Sequence, residues 1–342
     1  MSTVSSDRTA SSGDTAGRAP MRAVLHAAYG AADAFSLGET ARPSIEEREV
    51  LVRVRAAGMD RGTWHLMAGL PYPVRLVAGL RHPRNDVPGL DVAGIVESVG
   101  CAVTRFKPGD EVFGISRGSF AEYAAAREDK LARKPASLSF EQAAATPVSG
   151  LTALRGLCDV GHLEPGQHVL ITGASGGVGT FAVQIAKAIG ARVTGVCSTA
   201  KVDLVRSIGA DDVVDYTRED FADRAHAYDL ILDIGGNPSL SRLRRALAPR
   251  GTVVIAGGEE DGRWLGGSDR QLRALALSPF VRQRLTTFVN KEHFAGLERL
   301  AQLADQGLLI PVIERTYPLA ETSSAMRHLV AGKARGKLVI TP

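Results

Sequence analysis

Hydrophobic and polar residues follow two different patterns along this chain, and the change falls near residue 166. From about residue 21 to residue 130, short apolar runs are interrupted by frequent Gly and Pro, which is typical of strands and tight turns. From Gly166 onward, apolar runs of strand length alternate with segments of helical periodicity. This alternation is typical of a parallel sheet wound with helices. We therefore predict a β-rich, barrel-like unit followed by a doubly wound α/β unit.

The individual elements follow from the same patterns. Strands are predicted in the first unit at 22–26, 50–56 and 92–99, and in the second at 169–171, 193–197, 213–216, 230–233 and 253–256. Helices are predicted at 140–144, 149–158, 201–208, 240–248 and 292–306. A last apolar run at 337–340 predicts a strand, and we expect the final fifty or so residues to complete the first sheet. Residues 259–287 interrupt the rhythm, and the sequence leaves open whether they form a dimer contact, a substrate lid or a partner surface.

The segment VLITGASGGVG, from Val169 to Gly179, is the most informative part of the chain. An apolar strand leads into a turn with four glycines, and a helix with apolar residues at i, i+3, i+4, i+7 and i+8 follows. Such a unit directs backbone N–H groups and the positive end of a helix toward a pyrophosphate. Because a second strand follows at 191–197, the segment predicts a dinucleotide site rather than a tight structural turn. No Gly-Lys-Ser/Thr closes the motif, which disfavours a mononucleotide P-loop.

The residues after that second strand bear on the choice of cofactor. An NAD site usually carries Asp or Glu about 20 residues beyond the glycines, to bind the ribose 2′-hydroxyl. Here the strand is followed by Ser198, Thr199 and Lys201 instead. Hydroxyl donors and an ammonium suit a 2′-phosphate, so the sequence favours NADPH over NADH. The alternative is that Lys201 and Arg206 are the solvated face of the next helix.

Composition is that of a globular protein with room for two domains. The chain has 342 residues, of which 44% are hydrophobic and 23% charged. Its 41 basic residues barely exceed its 37 acidic ones, and no basic block with interleaved aromatic residues predicts nucleic-acid binding. No apolar run has the length of a membrane span. We therefore expect neither a nucleic acid nor a membrane as a partner.

The cysteines and the first residues bear on the compartment. Cys101, Cys158 and Cys197 form no closely spaced framework, which argues for a reducing compartment and against structural zinc. Residues 1–20 are rich in Ser, Thr, Ala and Gly and contain no apolar core, so we expect a disordered tail rather than a secretory signal. A cytoplasmic location is the expectation.

Several further motifs occur in order and carry a resemblance to a known family. They are PGLDVAGIVESVG at 88–100, FKPGDEVF at 106–113, GSFAEY at 118–123, SGLTA at 149–153 and GAD at 209–211. Together with the glycine turn, they make the chain similar to the zinc-free, quinone oxidoreductase-like branch of the medium-chain dehydrogenase/reductase superfamily. The resemblance implies a GroES-like catalytic domain from 21–148 and 288–342, packed on a Rossmann domain from 149–287. It also implies NADPH in the cleft between them and commonly a homodimer.

The resemblance also implies which residues contact the cofactor. The pyrophosphate would meet Ser175, Gly176, Gly177 and Val178, the 2′-phosphate would meet Ser198 and Lys201, and the adenosine half would lie against Tyr216. The ribose and nicotinamide would pass near Ile234, Gly235, Ala256 and Gly257, and Thr152 would approach the nicotinamide. For Tyr216 the alternative is a core aromatic residue at a strand end.

Zinc is disfavoured by a comparison of positions. Zinc-dependent relatives have a Cys at or near Asp60, a His-Glu pair at the positions of Leu90 and Asp91, and a third ligand near Thr146. This chain has neither Cys nor His at any of these places. Because a catalytic zinc needs three convergent ligands, we expect no metal.

Without a metal, no Lewis acid polarises an alcohol or a simple carbonyl. Hydride delivery to an electron-poor acceptor, such as a quinone or an α,β-unsaturated ketone, then fits better, with a proton supplied by a side chain or water. Asp60, His65 and Tyr72 are the candidate catalytic residues. Asp60 could bind the nicotinamide ribose or orient His65, which titrates near neutrality and could donate a proton, as could Tyr72. The alternatives are that His65 is a structural histidine and that Tyr72 is a packing aromatic residue.

Three hypotheses follow. The first is an NADPH-dependent, zinc-independent reductase of a small-molecule quinone or enone. The second is a metal-free, NADP-dependent alcohol dehydrogenase or aldehyde reductase. The third is a non-catalytic, NADPH-binding sensor.

Overall fold

The computed structural model describes residues 18–257, 264, 266 and 268–342 of the chain. The strands are β1 (Pro20–Leu25), β2 (Ser36–Ala41), β3 (Glu49–Met59), β4 (Asp91–Val99), β5 (Glu111–Ile115), β6 (Tyr123–Arg127), β7 (Leu131–Arg133), β8 (His168–Thr172), β9 (Arg192–Cys197), β10 (Asp212–Asp215), β11 (Tyr228–Asp233), β12 (Leu247–Ile255), β13 (Arg284–Thr287), β14 (Ile313–Pro318) and β15 (Lys337–Thr341). The helices are α1 (Arg61–Ala68), α2 (Arg75–Ala78), α3 (Phe140–Ala144), α4 (Pro147–Leu154), α5 (Gly177–Ile189), α6 (Val202–Ser207), α7 (Leu240–Ala246), α8 (Ser268–Leu277), α9 (Phe294–Asp305) and α10 (Thr322–Val330). The predicted tail lies almost wholly outside the described residues.

Two sheets organise the molecule. The first has the order β14-β15-β3-β4-β5-β7, with β6 paired to β3, and β1 and β2 form a separate antiparallel pair. The second has the order β10-β9-β8-β11-β12-β13, and all its neighbours are parallel. The prediction of a GroES-like, β-rich unit with a parallel Rossmann-type unit is therefore confirmed. The domain boundaries at 148 and 288 remain predictions, although β14 and β15 do return to the first sheet.

The two sheets share one hydrophobic core. Ala93 of β4, Leu151 of α4 and Ile171 of β8 are buried members of the same cluster. Because α4 supplies apolar side chains to both sides, it holds the two sheets in contact. Among the described residues, no helix combines the length and hydropathy that crossing a bilayer requires.

The structure differs from the predicted elements in three places. No element was predicted over α1, whose eight residues contain Gly62 and no repeated apolar period. It forms because the Asp60 carboxylate caps its first turn and Gly69, at φ 61°, ends it in the left-handed conformation. The helix predicted at 149–158 is α4, and it continues as a π-helical turn over Arg155–Val160.

The third difference concerns 259–287. Helix α8 and strand β13 both lie in this segment, and β13 adds an edge strand to the parallel sheet. The sequence of β13, Arg-Leu-Thr-Thr, contains no apolar run from which a strand could be predicted. An edge strand is solvated on one side and needs fewer apolar residues than a central one.

The glycine turn, defined here as Gly173–Gly179, joins β8 to α5. Gly173 has φ 66°, which favours glycine, and the helix ends at Gly190 with φ 93°. A Cβ atom on Gly179 would lie 2.1 Å from the carbonyl oxygen of Gly173. The helix can therefore start this close to the strand only because residue 179 has no side chain.

We expect Gly179→Ala to lower the free energy of unfolding by about 1–3 kcal/mol, because the new methyl group overlaps backbone that cannot move aside. Gly176→Ala in the same turn is the matched control, since its nearest neighbour would be 3.4 Å away and its φ is −85°. Gly176→Ala should lower the free energy of unfolding by less than about 1 kcal/mol. Urea unfolding of both variants measures the difference. Equal losses would contradict the close-approach argument.

Candidate functional site

The glycine turn presents an uncapped helix N-terminus to the cleft. Gly176 is the N-cap residue of α5, with no side-chain cap and no acidic residue in the first turn. The first N–H groups of a helix have no partner inside the helix, and the helix dipole adds partial positive charge there. Ser175, Gly176, Gly177 and Val178 thus lie together where a phosphate would be bound. The Ser175 carbonyl accepts a 2.9 Å hydrogen bond from the N–H of Gly336, which ties the turn to the first sheet.

Ser198 and Lys201 follow β9, and Tyr216 follows β10, the strand paired with β9. Lys201 Nζ donates to the carbonyls of Ala334, at 2.8 Å, and Gly332, at 3.3 Å. Burial lowers the pKa of this ammonium. The Tyr216 side chain is 62% exposed, so its interpretation as a core aromatic residue is wrong. Its N–H donates to the Cys197 carbonyl at 3.1 Å, which places its backbone beside the end of β9.

A carboxylate that the sequence reasoning did not consider lies nearby. Asp215, the last residue of β10, is 8% exposed. One of its oxygens accepts from the Thr199 hydroxyl at 2.5 Å and the other from the Thr217 hydroxyl at 2.8 Å. The hydrogen bond from Thr199 lowers the pKa of Asp215. Both oxygens are therefore already bound by neighbouring hydroxyls.

The opposite end of the cleft is formed by the turns after β11 and β12. The Ile234 and Gly235 N–H groups both donate to the Thr172 hydroxyl, at 2.9 and 3.3 Å. Gly257 lies so close to Ile234 that a Cβ on it would be 2.0 Å from the Ile234 carbonyl oxygen. The predicted residues Ile234, Gly235, Ala256 and Gly257 therefore form one continuous backbone surface at the carboxyl ends of the strands.

Thr152 lies on α4, facing the chain that follows β13. Its hydroxyl donates to the Val148 carbonyl at 2.7 Å and accepts a 3.2 Å hydrogen bond from Asn290 Nδ2. Asn290 Oδ1 is buried and has no hydrogen-bond partner among the described residues. Asn290 was missed, because nothing in its local sequence distinguishes it from any loop amide.

Three charged side chains are buried together in the cleft, and we call Asp60, Asp91 and Lys337 the carboxylate–lysine cluster. Lys337 Nζ lies 3.2 Å from Asp91 Oδ2 and 3.9 Å from Asp60 Oδ2. The Lys337 side chain is 1% exposed, and those of Asp91 and Asp60 are 0% and 8% exposed. The ammonium thus lies between two carboxylates, out of contact with water.

Each member of the cluster is fixed by a different element. Asp60 caps α1 by accepting a 2.9 Å hydrogen bond from the Thr63 N–H, and its other oxygen, Oδ2, has no hydrogen-bond partner among the described residues. Asp91 accepts a 2.9 Å hydrogen bond from the Val148 N–H at the start of α4. Lys337 follows Gly336, which is bonded to the glycine turn. The cluster therefore connects the first sheet with both elements that border the cleft.

Burial raises the pKa of Asp91 to about 7, against the pull of Lys337, and Asp60 adds to the rise. Neither Asp91 nor Lys337 was predicted as a site residue. A usable signal was present, since each is a charged residue in an otherwise apolar strand, which requires a buried partner.

His65 lies on α1, and Tyr72 begins the short helical turn at 72–74 that follows it. His65 Nδ1 is 2.7 Å from the Leu70 carbonyl oxygen, and because a carbonyl only accepts, the ring carries a proton on Nδ1. This carbonyl, and not Asp60, orients the ring. Tyr72 packs edge-on against Trp264, with 5.2 Å between ring centroids, and the Arg75 guanidinium lies 5.0 Å from the Tyr72 ring centre.

The sequence prediction of no metal concerned three positions. The structure groups Asp60 and Asp91 with an ammonium, and Thr146 donates its hydroxyl to the Gln142 carbonyl at 2.8 Å. Across 18–257, 264, 266 and 268–342, no group of three His, Cys, Asp or Glu side chains is placed to share an ion.

Comparison with known proteins agrees with this architecture. Residues 46–136 match the family model "Alcohol dehydrogenase GroES-like domain", and residues 208–340 match "Zinc-binding dehydrogenase". The mouse protein "NAD(P)H oxidoreductase RTN4IP1, mitochondrial" is 36% identical over 85% of this chain and 81% of its own length. The tomato "2-methylene-furan-3-one reductase" is 32% identical over 94% of this chain and 79% of its own length.

A solved structure gives the same result. The quinone oxidoreductase from Coxiella burnetii superposes with a TM-score of 0.83 at 26% identity, covering 95% of this chain and 100% of its own. Sequence relatives and fold thus agree over nearly the whole length. The chain belongs to the medium-chain dehydrogenase/reductase superfamily, among its quinone oxidoreductase-like members, and is an NAD(P)H-dependent oxidoreductase.

Proposed function

We propose that this chain transfers a hydride from NADPH to a quinone or an α,β-unsaturated carbonyl without a metal. The observation that carries the proposal is the carboxylate–lysine cluster. Asp60 and Asp91 occupy positions of the segments from which zinc-dependent relatives draw ligands, and here the Lys337 ammonium lies between them. An internal cation already lies beside both carboxyl groups, so a divalent ion would have to displace a buried positive charge.

NADPH fits the residues that line the cleft. The uncapped start of α5 suits a pyrophosphate, and the exposed Tyr216 ring offers a surface for an adenine. Lys201 and Ser198 supply a cation and a hydroxyl for a 2′-phosphate. The oxygens of Asp215 are bound by Thr199 and Thr217, so this carboxylate is not presented to a ribose as in an NAD site.

When bound, NADPH supplies the hydride, and the chain supplies position and a proton. Thr152 would face the nicotinamide. Its hydroxyl is oriented by hydrogen bonds with the Val148 carbonyl and with Asn290 Nδ2. Without Lewis-acid polarisation, the acceptor must itself be electron-poor, as quinones and enones are. The names of the tomato and Coxiella proteins, an enone reductase and a quinone oxidoreductase, support this substrate class.

We assign the proton that completes the reduction to the side of the cleft formed by α1. His65, with Nδ1 committed to the Leu70 carbonyl, has Nε2 left to exchange a proton, and the Tyr72 hydroxyl is the second donor. Asp60 holds the start of α1 and faces Lys337. The homodimer and the cytoplasmic location remain predictions.

The first test is turnover by the metal-stripped protein with NADPH and NADH on matched quinones, enones, saturated aldehydes and ketones. We expect kcat/KM for an enone to exceed that for its saturated analogue by roughly 100-fold or more, because no metal compensates for the less reactive carbonyl. Activity should be unchanged by chelator. Steady reduction of saturated aldehydes in chelator would instead identify an aldehyde reductase. NADPH binding without reduction of any acceptor would leave the sensor hypothesis.

Lys201→Ala should weaken NADPH binding by about 10–100-fold, the loss expected for one charged hydrogen bond to phosphate, and change NADH binding little. Arg206→Ala is the control, because Arg206 is an exposed cation of the following helix. Fluorescence titration with each reduced cofactor measures both dissociation constants. Equal losses of affinity for NADPH and NADH would contradict the assignment of Lys201 to the 2′-phosphate.

Asp91→Asn should change how stability depends on pH. A carboxyl whose pKa is about 7 when folded and 3.8 otherwise binds more protons in the folded chain. Its contribution to the free energy of unfolding therefore falls as pH rises between those two values. The free energy of unfolding of Asp91→Asn minus that of the wild type should then increase over this range and level off above it.

Urea unfolding at a series of pH values provides the measurement. Asp129→Asn is a control of opposite sign, because a hydrogen bond from Arg127 lowers the pKa of Asp129. A difference between Asp91→Asn and wild type that does not vary with pH would show that Asp91 is ionised throughout.

A further inference from the structure

A second buried ion pair lies at the carboxyl ends of β11 and β12. Neither of its residues has been given a role in the proposed function. Arg270 Nη1 of α8 is 2.6 Å from Asp233 Oδ2, and the two side chains are 9% and 0% exposed. From the sequence, Arg270 belonged to the basic segment for which a dimer contact, a lid and a partner surface were left open. The structure places it inside the fold.

The Arg270 guanidinium contacts three separate segments. Besides Asp233, it donates from Nη1 to the Pro238 carbonyl at 3.0 Å and from Nη2 to the Gly257 carbonyl at 3.1 Å. A guanidinium is planar, so these contacts fix the relative positions of their partners. Arg270 therefore holds the turn after β12 against the end of β11.

The network continues to β8 through Asp233. Asp233 Oδ1 accepts a 2.8 Å hydrogen bond from the Thr172 hydroxyl, and that hydroxyl accepts the N–H groups of Ile234 and Gly235. The Asp233 carbonyl also accepts a 2.9 Å hydrogen bond from the Ala256 N–H. We call Thr172, Asp233 and Arg270 the strand-end clamp.

We propose that Arg270 is a positioning residue for the nicotinamide half of the cofactor, acting through the strand-end clamp on the turns 234–235 and 256–257. The inference rests on the proposed function, because it assumes that NADPH lies with its nicotinamide ribose along these turns. The adenosine and 2′-phosphate contacts at Ser198 and Lys201 belong to β9 and its following turn, whereas the side-chain contacts of the clamp lie at Pro238 and at the ends of β8, β11 and β12. Loss of the clamp should therefore affect one half of the cofactor only.

The test compares Arg270→Lys, which keeps the charge but not the planar fork, with Arg273→Lys on the same helix. Arg273 pairs with Asp269 at 3.0 Å and is 75% exposed, so it is the matched control. For each variant, kcat at saturating NADPH is measured, with dissociation constants for NADPH and for 2′-phospho-ADP-ribose, which lacks the nicotinamide. The fluorescence of bound NADPH reports on the nicotinamide directly.

We expect Arg270→Lys to lower kcat by about 100-fold, the scale of a 1 Å misplacement of reacting groups. The fluorescence of bound NADPH should change, while the dissociation constant for 2′-phospho-ADP-ribose stays within about twofold of wild type. Arg273→Lys should leave every quantity unchanged. An unchanged kcat and fluorescence, or equal weakening of NADPH and the fragment, would overturn the proposal.

If Arg270→Lys does not fold, Thr172→Val decides the question by the same measurements, since it breaks only the hydroxyl link and keeps the ion pair. The same selective effect is expected, and its absence overturns the proposal. Failure of the proposed function is seen separately in the wild type. A wild type that binds NADPH but reduces no acceptor refutes the reductase, while the comparison of NADPH with its fragment still decides the role of Arg270.

Discussion

The buried Lys337 ammonium is the interaction on which the architecture of the cleft depends. It contacts Asp91, lies near Asp60, and its own strand is bonded to the glycine turn through Gly336. Asp91 is in turn bonded to the first turn of α4. Desolvating three charged groups costs several kcal/mol per ion, and only close pairing offsets that cost. Asp91 and Lys337 belong to the first sheet, and Asp60 directly follows its strand β3. The hydrogen bonds of Asp91 to Val148 and of Gly336 to Ser175 attach that sheet to α4 and to the glycine turn.

The cluster also shapes the chemistry. Two carboxylates in a dry cleft repel each other and favour a bound cation, and this chain provides that cation from its own β15. The burial that keeps the cation in place raises the pKa of Asp91 toward neutrality. Under the proposed metal-free reaction, substrates would be selected by their own electron deficiency, because the cleft would offer them position rather than a metal.

The residues predicted to contact the cofactor lie at strand ends that are far apart in sequence. The glycine turn follows β8, Ser198 follows β9, Tyr216 follows β10, and Ile234 and Ala256 follow β11 and β12. Parallel strands bring their carboxyl ends to the same edge of a sheet, so one surface collects all of them. The strand-end clamp spans three of these strands and attaches α8 to them.

Local patterning in the sequence determined the fold class, the strand–turn–helix unit and the alternation of parallel strands with helices. Apolar runs and glycine spacing act through neighbouring residues, and a sequence records them directly. For the same reason α3 agrees with its predicted bounds, and α5 ends at Gly190 as its periodicity indicates. Helix α1 and strand β13 were missed because one depends on caps at Asp60 and Gly69 and the other is a short, polar edge strand.

Only the tertiary structure decided which charged side chains meet. Asp91 and Lys337 are 246 residues apart, and Arg270 is 37 residues from Asp233. Each resembles an ordinary solvated charge in the sequence, because the cost of burying a charge arises only when the sheets close around it. The exposure of Tyr216 and the orientation of His65 by the Leu70 carbonyl were settled in the same way. The sequence by itself determined the strand–turn–helix unit at which a cofactor site is predicted, and folding decided which charges lie near it, because electrostatic partners depend on distance in space and not on spacing along the chain.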